Sequence, residues 1–368
     1  MRPKKSAIAY YITPHGFGHA VRSLEILRRL IELGPDIEPI IVSDLPVGLV
    51  AQNLGILPPL RRIRLDVGLC QYDSIRFDLE KSLELLSSLI AESQNIIERE
   101  VAFLRRERIK LVVSDVAWLP FEAANRCGIP AIGIGNFTWD WIYNVYAAKD
   151  PRWRPTISTI RQGYAKCPLF LQLPMHGDCS VCPCIEDVPL VARKARKSRD
   201  EVRSILGLGS TDKVILLAFV SLQLDEAALC RIKNMDGIVF LYKSPMEFRV
   251  PGAISLDGAP VSFPDVIGTA DAVLTKPGYG IVSDCLAQAT PMIYTERGLF
   301  SEYDVLVQTI ESELPSIFID SADFNAGNWE PSISRILSLP HRVPDIRIDG
   351  AEICARKILK SLPPPTCF

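Results

Sequence analysis

The 368-residue chain is too long for one ordinary hydrophobic core, and its 48% hydrophobic content supplies material for two domains of roughly 150 to 200 residues. With 41 Lys and Arg against 43 Asp and Glu, the formal net charge of -2 excludes a general attraction to nucleic acid or to an anionic membrane, so any phosphate contact has to be local. No run of 18 apolar residues occurs and ten cysteines are too dilute for a secreted disulfide scaffold, so a cytoplasmic protein without a transmembrane segment is expected.

The first strand candidate, SAIAYYI (6–12), follows MRPKK with no small-residue cleavage site between them. It runs into ITPHGFGHAVRSLEIL (12–27), where Pro14, Gly16 and Gly18 turn the chain and helical spacing over 18–33 predicts a helix starting near Gly18 or His19. Two of the four histidines, His15 and His19, stand in this one turn. A histidine at a strand's carboxyl end can take a proton from a hydroxyl near neutral pH. Arg22, three residues after His19 and so on the same helix face, can steady a phosphate or carboxylate. The other reading is a capping His19 and a solvated Arg22.

Strand candidates continue with EPIIVSD (38–44), LRRIRLD (60–66), KLVVSD (110–115), PAIGIG (130–135) and LFLQLP (169–174), with helical spacing over 78–108. Asp115, closing KLVVSD, either bonds a sugar or orients a histidine, or else caps the following helix. GNFTWDWIYNVY (135–146) places Phe137, Trp139, Trp141, Tyr143 and Tyr146 among hydrogen-bonding groups, which suits either a sugar face or a domain core.

Cys179, Cys182 and Cys184, with Cys167 twelve residues before the first, could bind zinc or an iron-sulfur cluster through thiolates, or remain reduced thiols. VARKARKSRDEVRS (191–204) follows with six basic residues; Asp200 and Glu201 interrupt it and it lacks aromatics, so a solvated hinge is favoured over RNA binding.

A second series of strand candidates then starts: VILLAFV (214–220), IVFLYK (238–243), AISLDG (253–258), AVLTK (272–276), PMIYTE (291–296) and SIFID (316–320). Continuous apolar runs rather than alternating ones predict parallel sheets covered on both faces, hence the α/β class. The expected organisation is an N-terminal Rossmann-like acceptor-side domain (1–190), a basic junction (191–209), a C-terminal Rossmann-like domain (210–348), and a final helix and tail (349–368) packing back on the first. Two such domains facing each other would leave a cleft at the carboxyl ends of their strands. In TKPGYGIVSDCLAQ (275–288), Gly278 and Gly280 open the backbone before a helix whose free N–H groups can hold an anion, with Lys276 as a nearby charge and Asp284 one turn on as a ribose acceptor. An ordinary tight turn, with Asp284 merely favouring the helix dipole, is the alternative.

YYITPHGFGHAVRSLEI, VVSDVAWLPFEAA, IGNFTWDWIYNVY, EDVPLVARKARKSRDEVRSILG and LTKPGYGIVSDCLAQATPMIY together resemble the N-terminal, non-kinase portion of plant L-arabinokinases, over nearly the full length. More broadly they resemble the GT-B superfamily of nucleotide-sugar glycosyltransferases, with two facing Rossmann-like domains. No kinase signature is present, so arabinose phosphorylation is not part of the expectation. The resemblance implies a nucleotide-diphosphate sugar as donor, a UDP-sugar first, and a small-molecule acceptor of unknown identity. It implies His19 as acceptor base with His15 as runner-up, and Asp115 orienting His19. Gly16, Gly18 and Arg22 belong to the first ligand turn. Lys276, Gly278, Tyr279 and Gly280 form the diphosphate turn, with Lys276 standing where the superfamily has a histidine. Asp284 would be the ribose ligand, and Glu302 and Tyr303 fall where an acid and an amide touch the donor sugar, the tyrosine being a departure. The alternatives are a noncatalytic nucleotide- or sugar-binding module, and a metal- or RNA-binding protein.

Overall fold

A computed structural model describes residues 6–72 and 76–364; the MRPKK start and the last four residues of the expected tail lie outside them. The chain divides into two compact units. The first comprises Met1–Cys70, Asp78–Ala192 and Arg347–Phe368, the second Gln71–Phe77 and Arg193–Ile346. The stretch expected as a free-standing basic junction thus belongs, from Arg193 onward, to the second unit.

Through residue 192 the order is β1 (Ser6–Ile12), α1 (Phe17–Leu33), β2 (Ile37–Val42), α2 (Val47–Leu54), β3 (Leu60–Arg61), β4 (Cys70–Gln71), β5 (Phe77–Asp78), α3 (Leu79–Ala91), α4 (Ser93–Arg106), β6 (Leu111–Asp115), α5 (Leu119–Cys127), β7 (Ala131–Gly135), α6 (Trp139–Ala147), α7 (Trp153–Tyr164), β8 (Phe170–Gln172) and β9 (Ile185–Asp187). The rest is α8 (Arg199–Leu206), β10 (Lys213–Ala218), α9 (Glu226–Lys233), β11 (Ile238–Tyr242), β12 (Ile254–Ser255), α10 (Phe263–Thr269), β13 (Ala272–Thr275), α11 (Tyr279–Gln288), β14 (Met292–Tyr294), α12 (Glu302–Glu313), β15 (Ser316–Phe318), α13 (Ser321–Ala326), α14 (Glu330–Ser338) and α15 (Gly350–Lys360).

The first unit is built on a seven-stranded sheet in the order β3-β2-β1-β6-β7-β8-β9, parallel at every pairing. Every residue of β6 and β7 is buried, which is why those strands read as unbroken apolar runs. LRRIRLD departs from its expectation. Only Leu60 and Arg61 pair as a strand, at the edge of the sheet, and the rest of the run continues as loop. Helix α1 buries Leu24, Ile26, Leu27 and Leu30 completely, each contributing about 1.5–3 kcal/mol of transfer free energy. Part of α1 packs under α15, where Arg29 pairs with Glu352 at 2.6 Å, and Gly34 lies so close to Leu359 that a Cβ there would meet Cδ2 at 2.6 Å. Leu190 N–H donates to the Arg347 carbonyl at 3.0 Å, stitching the returning chain to the end of the first long segment.

The second unit has a six-stranded sheet, β12-β11-β10-β13-β14-β15, also parallel throughout. One layer of its core gathers Phe240, Phe248, Phe324 and fully buried Trp329, with the Phe248 and Trp329 rings stacked at 6.2 Å. Each sheet grows outward in both directions from its first strand. The strand order therefore reverses between β1 and β6 in one unit and between β10 and β13 in the other. Crevices at the carboxyl ends of such strand pairs are where open α/β sheets bind ligands.

Candidate functional site

At the first reversal β1 stops at Ile12, directly beside Asp115 at the end of β6. Gly16 then takes φ 80°, a left-handed value that glycine adopts without Cβ strain, and α1 starts at Phe17, slightly before the expected Gly18 or His19, leaving Gly18 inside the first turn. No side chain caps this helix. His19, Arg22 and Ser23 lie three and four residues apart and converge on Asp115.

Asp115 is fully buried and receives His19 Nδ1 at 2.9 Å, Arg22 Nε at 2.9 Å and Arg22 Nη2 at 2.7 Å, as well as the Ser23 hydroxyl. Burial opposes its charge, but Arg22 and then His19 outweigh that and hold the carboxyl well below the usual carboxylate range. A carboxylate only accepts, so in the tautomer that bonds Asp115 the proton is on Nδ1, and a neutral ring of that tautomer carries its lone pair on Nε2. Arg22 Nη2 also lies 2.8 Å from His19 Nδ1, a contact in which Nδ1 accepts in the other tautomer. Arg22 is 3% exposed and also donates from Nη1 to Asn136 Oδ1 at 2.6 Å. The carboxylate it steadies is thus the protein's own, and the reading of Arg22 as a ligand-phosphate contact is corrected: its guanidinium is occupied inside the fold. Asp115 is also not a helix cap, since Trp118 holds the N-cap position of α5.

The residue after Asp115 is bent sharply. Val116 has φ 57°, unusual for a β-branched residue, and its carbonyl accepts from the buried Tyr164 hydroxyl at 2.5 Å. Gly135 makes room for it, as a Cβ at that position would lie 2.7 Å from Val116 Cγ1.

His15 forms a second pair. Its Nε2 lies 3.0 Å from the Asp66 carbonyl and 3.3 Å from Asp66 Oδ1, and Trp139 Nε1 donates to Asp66 Oδ2 at 3.1 Å. Burial works against the His15 cation, yet Asp66 raises its pKa above the ordinary value; Asp66, buried as well, is held below its own by His15, Thr13 and Trp139. Phe137 meets His19 edge-on at 5.4 Å and Trp139 meets His15 at 6.1 Å. Phe137, Trp139, Tyr143 and Tyr146 are all at most 3% exposed and form core supporting the histidines, while Trp141 of the same run is partly exposed.

At the second reversal Lys276 is the first residue beyond β13, Gly278 is the N-cap of α11, and Tyr279 and Gly280 open the helix. Gly278 has φ -150°, a value open to any residue, and a Cβ there would meet nothing within 4 Å, so the backbone is approachable from outside. Asp284 departs from its expected ribose role. It is 3% exposed, faces the start of the second unit, and accepts from Arg193 through the backbone N–H at 3.2 Å and through the guanidinium. Glu302 is 5% exposed and pairs with Arg297 at 3.3 Å, so it too is engaged within the protein. Tyr303 is half-buried, its phenol pushed up to about 12 by burial and by Glu296 and other acids.

The metal expectation is corrected. Among the described residues no group of three or more His, Cys, Asp or Glu side chains is placed to hold an ion. Cys184 points to solvent while Cys167, Cys179 and Cys182 are buried. A hydrogen bond with Cys167, and then burial, raises the Cys182 thiol far above its ordinary value, and burial pushes Cys179 up to about 12. The basic stretch is likewise engaged, Arg193 by Asp284 and Arg199 by Asp271 at 2.9 Å. Sequence reasoning missed Asp66, Ser23 and Arg297, and it missed the partners of Asn136 and Arg193; Asp66, Ser23, Asn136 and Arg193 meet groups far along the chain, whereas Arg297 is marked only by the loop that brings Pro277 and Glu302 to it.

No family model matches the chain. It is 31% identical over 356 residues to L-arabinokinase of Arabidopsis thaliana, which covers 96% of this chain; the chain spans about a third, 34%, of that relative's length. Among solved structures it resembles the glycotransferase of kitacinnamycin (TM-score 0.63, 16% identity, 98% of this chain and 100% of that one). It also resembles UDP-glucose:anthocyanidin 3-O-glucosyltransferase in complex with UDP (0.61, 12%, 98% and 94%) and glycosyltransferase VinC in complex with dTDP (0.56, 14%, 96% and 94%). The chain therefore has a GT-B-like glycosyltransferase fold of two Rossmann-type domains. It is distantly related to plant arabinokinase in sequence. Among the described residues no helix is long and apolar enough to cross a membrane.

Proposed function

We propose that the chain is a nucleotide-sugar-dependent glycosyltransferase whose acceptor base is His19. The observation that carries this reading is the 2.9 Å contact between His19 Nδ1 and the buried Asp115, set at the strand reversal of a GT-B-like fold. The acceptor hydroxyl gives its proton to His19 Nε2, its oxygen bonds to the anomeric carbon, and the bond from that carbon to the donor's diphosphate oxygen breaks. Asp115 fixes the ring and stabilises the imidazolium as it forms. Lys276 and the uncapped start of α11 meet the charge growing on the leaving diphosphate. A single general base favours inversion at the anomeric carbon. UDP is the first donor nucleotide to test, since one solved relative of the same fold holds UDP.

A noncatalytic nucleotide- or sugar-binding module is the second reading. It is favoured by the engagement of Asp284 and Glu302 with arginines, and by the match of this chain to about a third of a protein named as a kinase. Thermal stabilisation by UDP, GDP, ADP, dTDP and their common sugar conjugates tests both. Selective stabilisation by one nucleotide, followed by nucleoside diphosphate release that His19→Gln abolishes, supports transfer. Binding without release by the wild type, whatever the acceptor, supports the module. No stabilisation of the folded protein by any nucleotide contradicts both for nucleotides.

A further inference from the structure

Arg297 lies between β14 and α12, in a stretch (TERGLF) that carries no recognisable motif. Its side chain is only 13% exposed, and three contacts of different kinds hold it. Nη1 donates to the Pro277 carbonyl at 3.0 Å and to Glu302 at 3.3 Å, and the guanidinium lies 4.0 Å above the Phe300 ring. Phe300 is stacked in turn on Phe77 at 5.7 Å. An apolar side chain would fill this space at lower desolvation cost, so the charge calls for a role beyond filling it.

The carbonyl it holds belongs to the peptide that joins Pro277 to Gly278. In a planar trans peptide the C=O and N–H point in opposite directions. Anchoring the Pro277 oxygen on Arg297 therefore fixes the Gly278 N–H on the opposite side of that peptide, and apart from its chain neighbours no group lies within 4 Å of where a Cβ on Gly278 would sit. We propose that Arg297 is a positioning residue for the donor's diphosphate, setting the Gly278 amide to meet a phosphate oxygen while Glu302 balances its charge. This rests on the donor-side reading above, and it assigns Arg297 a part that neither Lys276 nor the helix start performs.

The test compares wild type, Arg297→Met and Arg297→Lys by calorimetry. The probes are inorganic pyrophosphate, whichever of UDP, GDP, ADP and dTDP the wild type binds most tightly, and the matching nucleoside. Affinity of Arg297→Met for the diphosphate should fall at least tenfold while nucleoside affinity stays within twofold. Arg297→Lys, which keeps a charge and a nitrogen donor without the planar guanidinium over Phe300, should recover part of the loss. Equal weakening of diphosphate and nucleoside would overturn the proposal in favour of a purely structural arginine, as would unchanged diphosphate binding. If Arg297→Met does not fold, Arg297→Lys decides alone by the same diphosphate-to-nucleoside ratio. A folded wild type that binds no nucleotide and no pyrophosphate removes the donor reading itself, and the proposal with it; binding by the wild type with an unmoved ratio in the variants removes only the proposal.

Discussion

At the end of β6 the polar groups are side chains, with one carboxylate, Asp115, gathering an imidazole, a guanidinium and a hydroxyl out of water. At the end of β13 the exposed polar groups belong to the backbone turn around Gly278, and the nearby carboxylates, Asp284 and Glu302, are tied to arginines. The same strand order carries a buried side-chain cluster at one strand end and a glycine turn leading into a helix at the other. Buried charge is expensive unless paired, so under the proposed function the first strand end ties stability to chemistry through one residue. Under the same proposal the second separates them, with carboxylates paired to arginines and a backbone turn for the donor.

That contrast can be broken most sharply at Asp115. Asp115→Asn leaves Arg22 buried with half its partner gone and should cost about 3–5 kcal/mol in urea unfolding, alongside loss of transfer. Its acid dependence should change too. The folded carboxyl titrates below its unfolded value, so its stabilisation is complete above the unfolded range near pH 4 and is lost as pH falls toward the depressed folded value. Unfolding between about pH 5 and pH 2 should therefore flatten in the asparagine variant. If the acid limb is unchanged, the cluster does not hold the charge described.

At the second crevice Asp284→Asn should cost less, about 2 kcal/mol, because Arg193 is 17% exposed and keeps partial hydration. Nucleotide affinity should survive within threefold. A tenfold fall in nucleotide affinity with little loss of stability would restore the ribose role. Gly135→Ala is expected to cost about 1–3 kcal/mol, since its methyl must displace Val116 and with it the end of β6. His19→Gln has the smallest structural effect, within about 1 kcal/mol because the glutamine amide can still donate to Asp115, yet should slow transfer by roughly 10²- to 10⁴-fold.

Much of this was legible in advance because it is local. Apolar runs, glycine turns and the spacing of His19 and Arg22 act over a few residues, and they mark the strand ends and the helix starts that follow Gly16 and Gly278. What escaped depends on residues far apart in sequence. Asp66 reaches His15 across 51 positions, and Asp284 meets Arg193 across 91. LRRIRLD reads as one of the short strand runs, but only its first two residues pair and its last, Asp66, serves as a loop carboxylate. The aromatic run and the cysteines were ambiguous for another reason: residue type does not state burial, and burial takes in four of the five aromatics and three of the four cysteines but leaves Trp141 partly exposed and Cys184 exposed.

The most direct measurement is release of nucleoside diphosphate from the donor selected by binding, with an acceptor pool, for wild type and His19→Gln side by side. The account expects equal donor affinity in the two proteins and at least a hundredfold slower release by the variant. Equal release rates would contradict it.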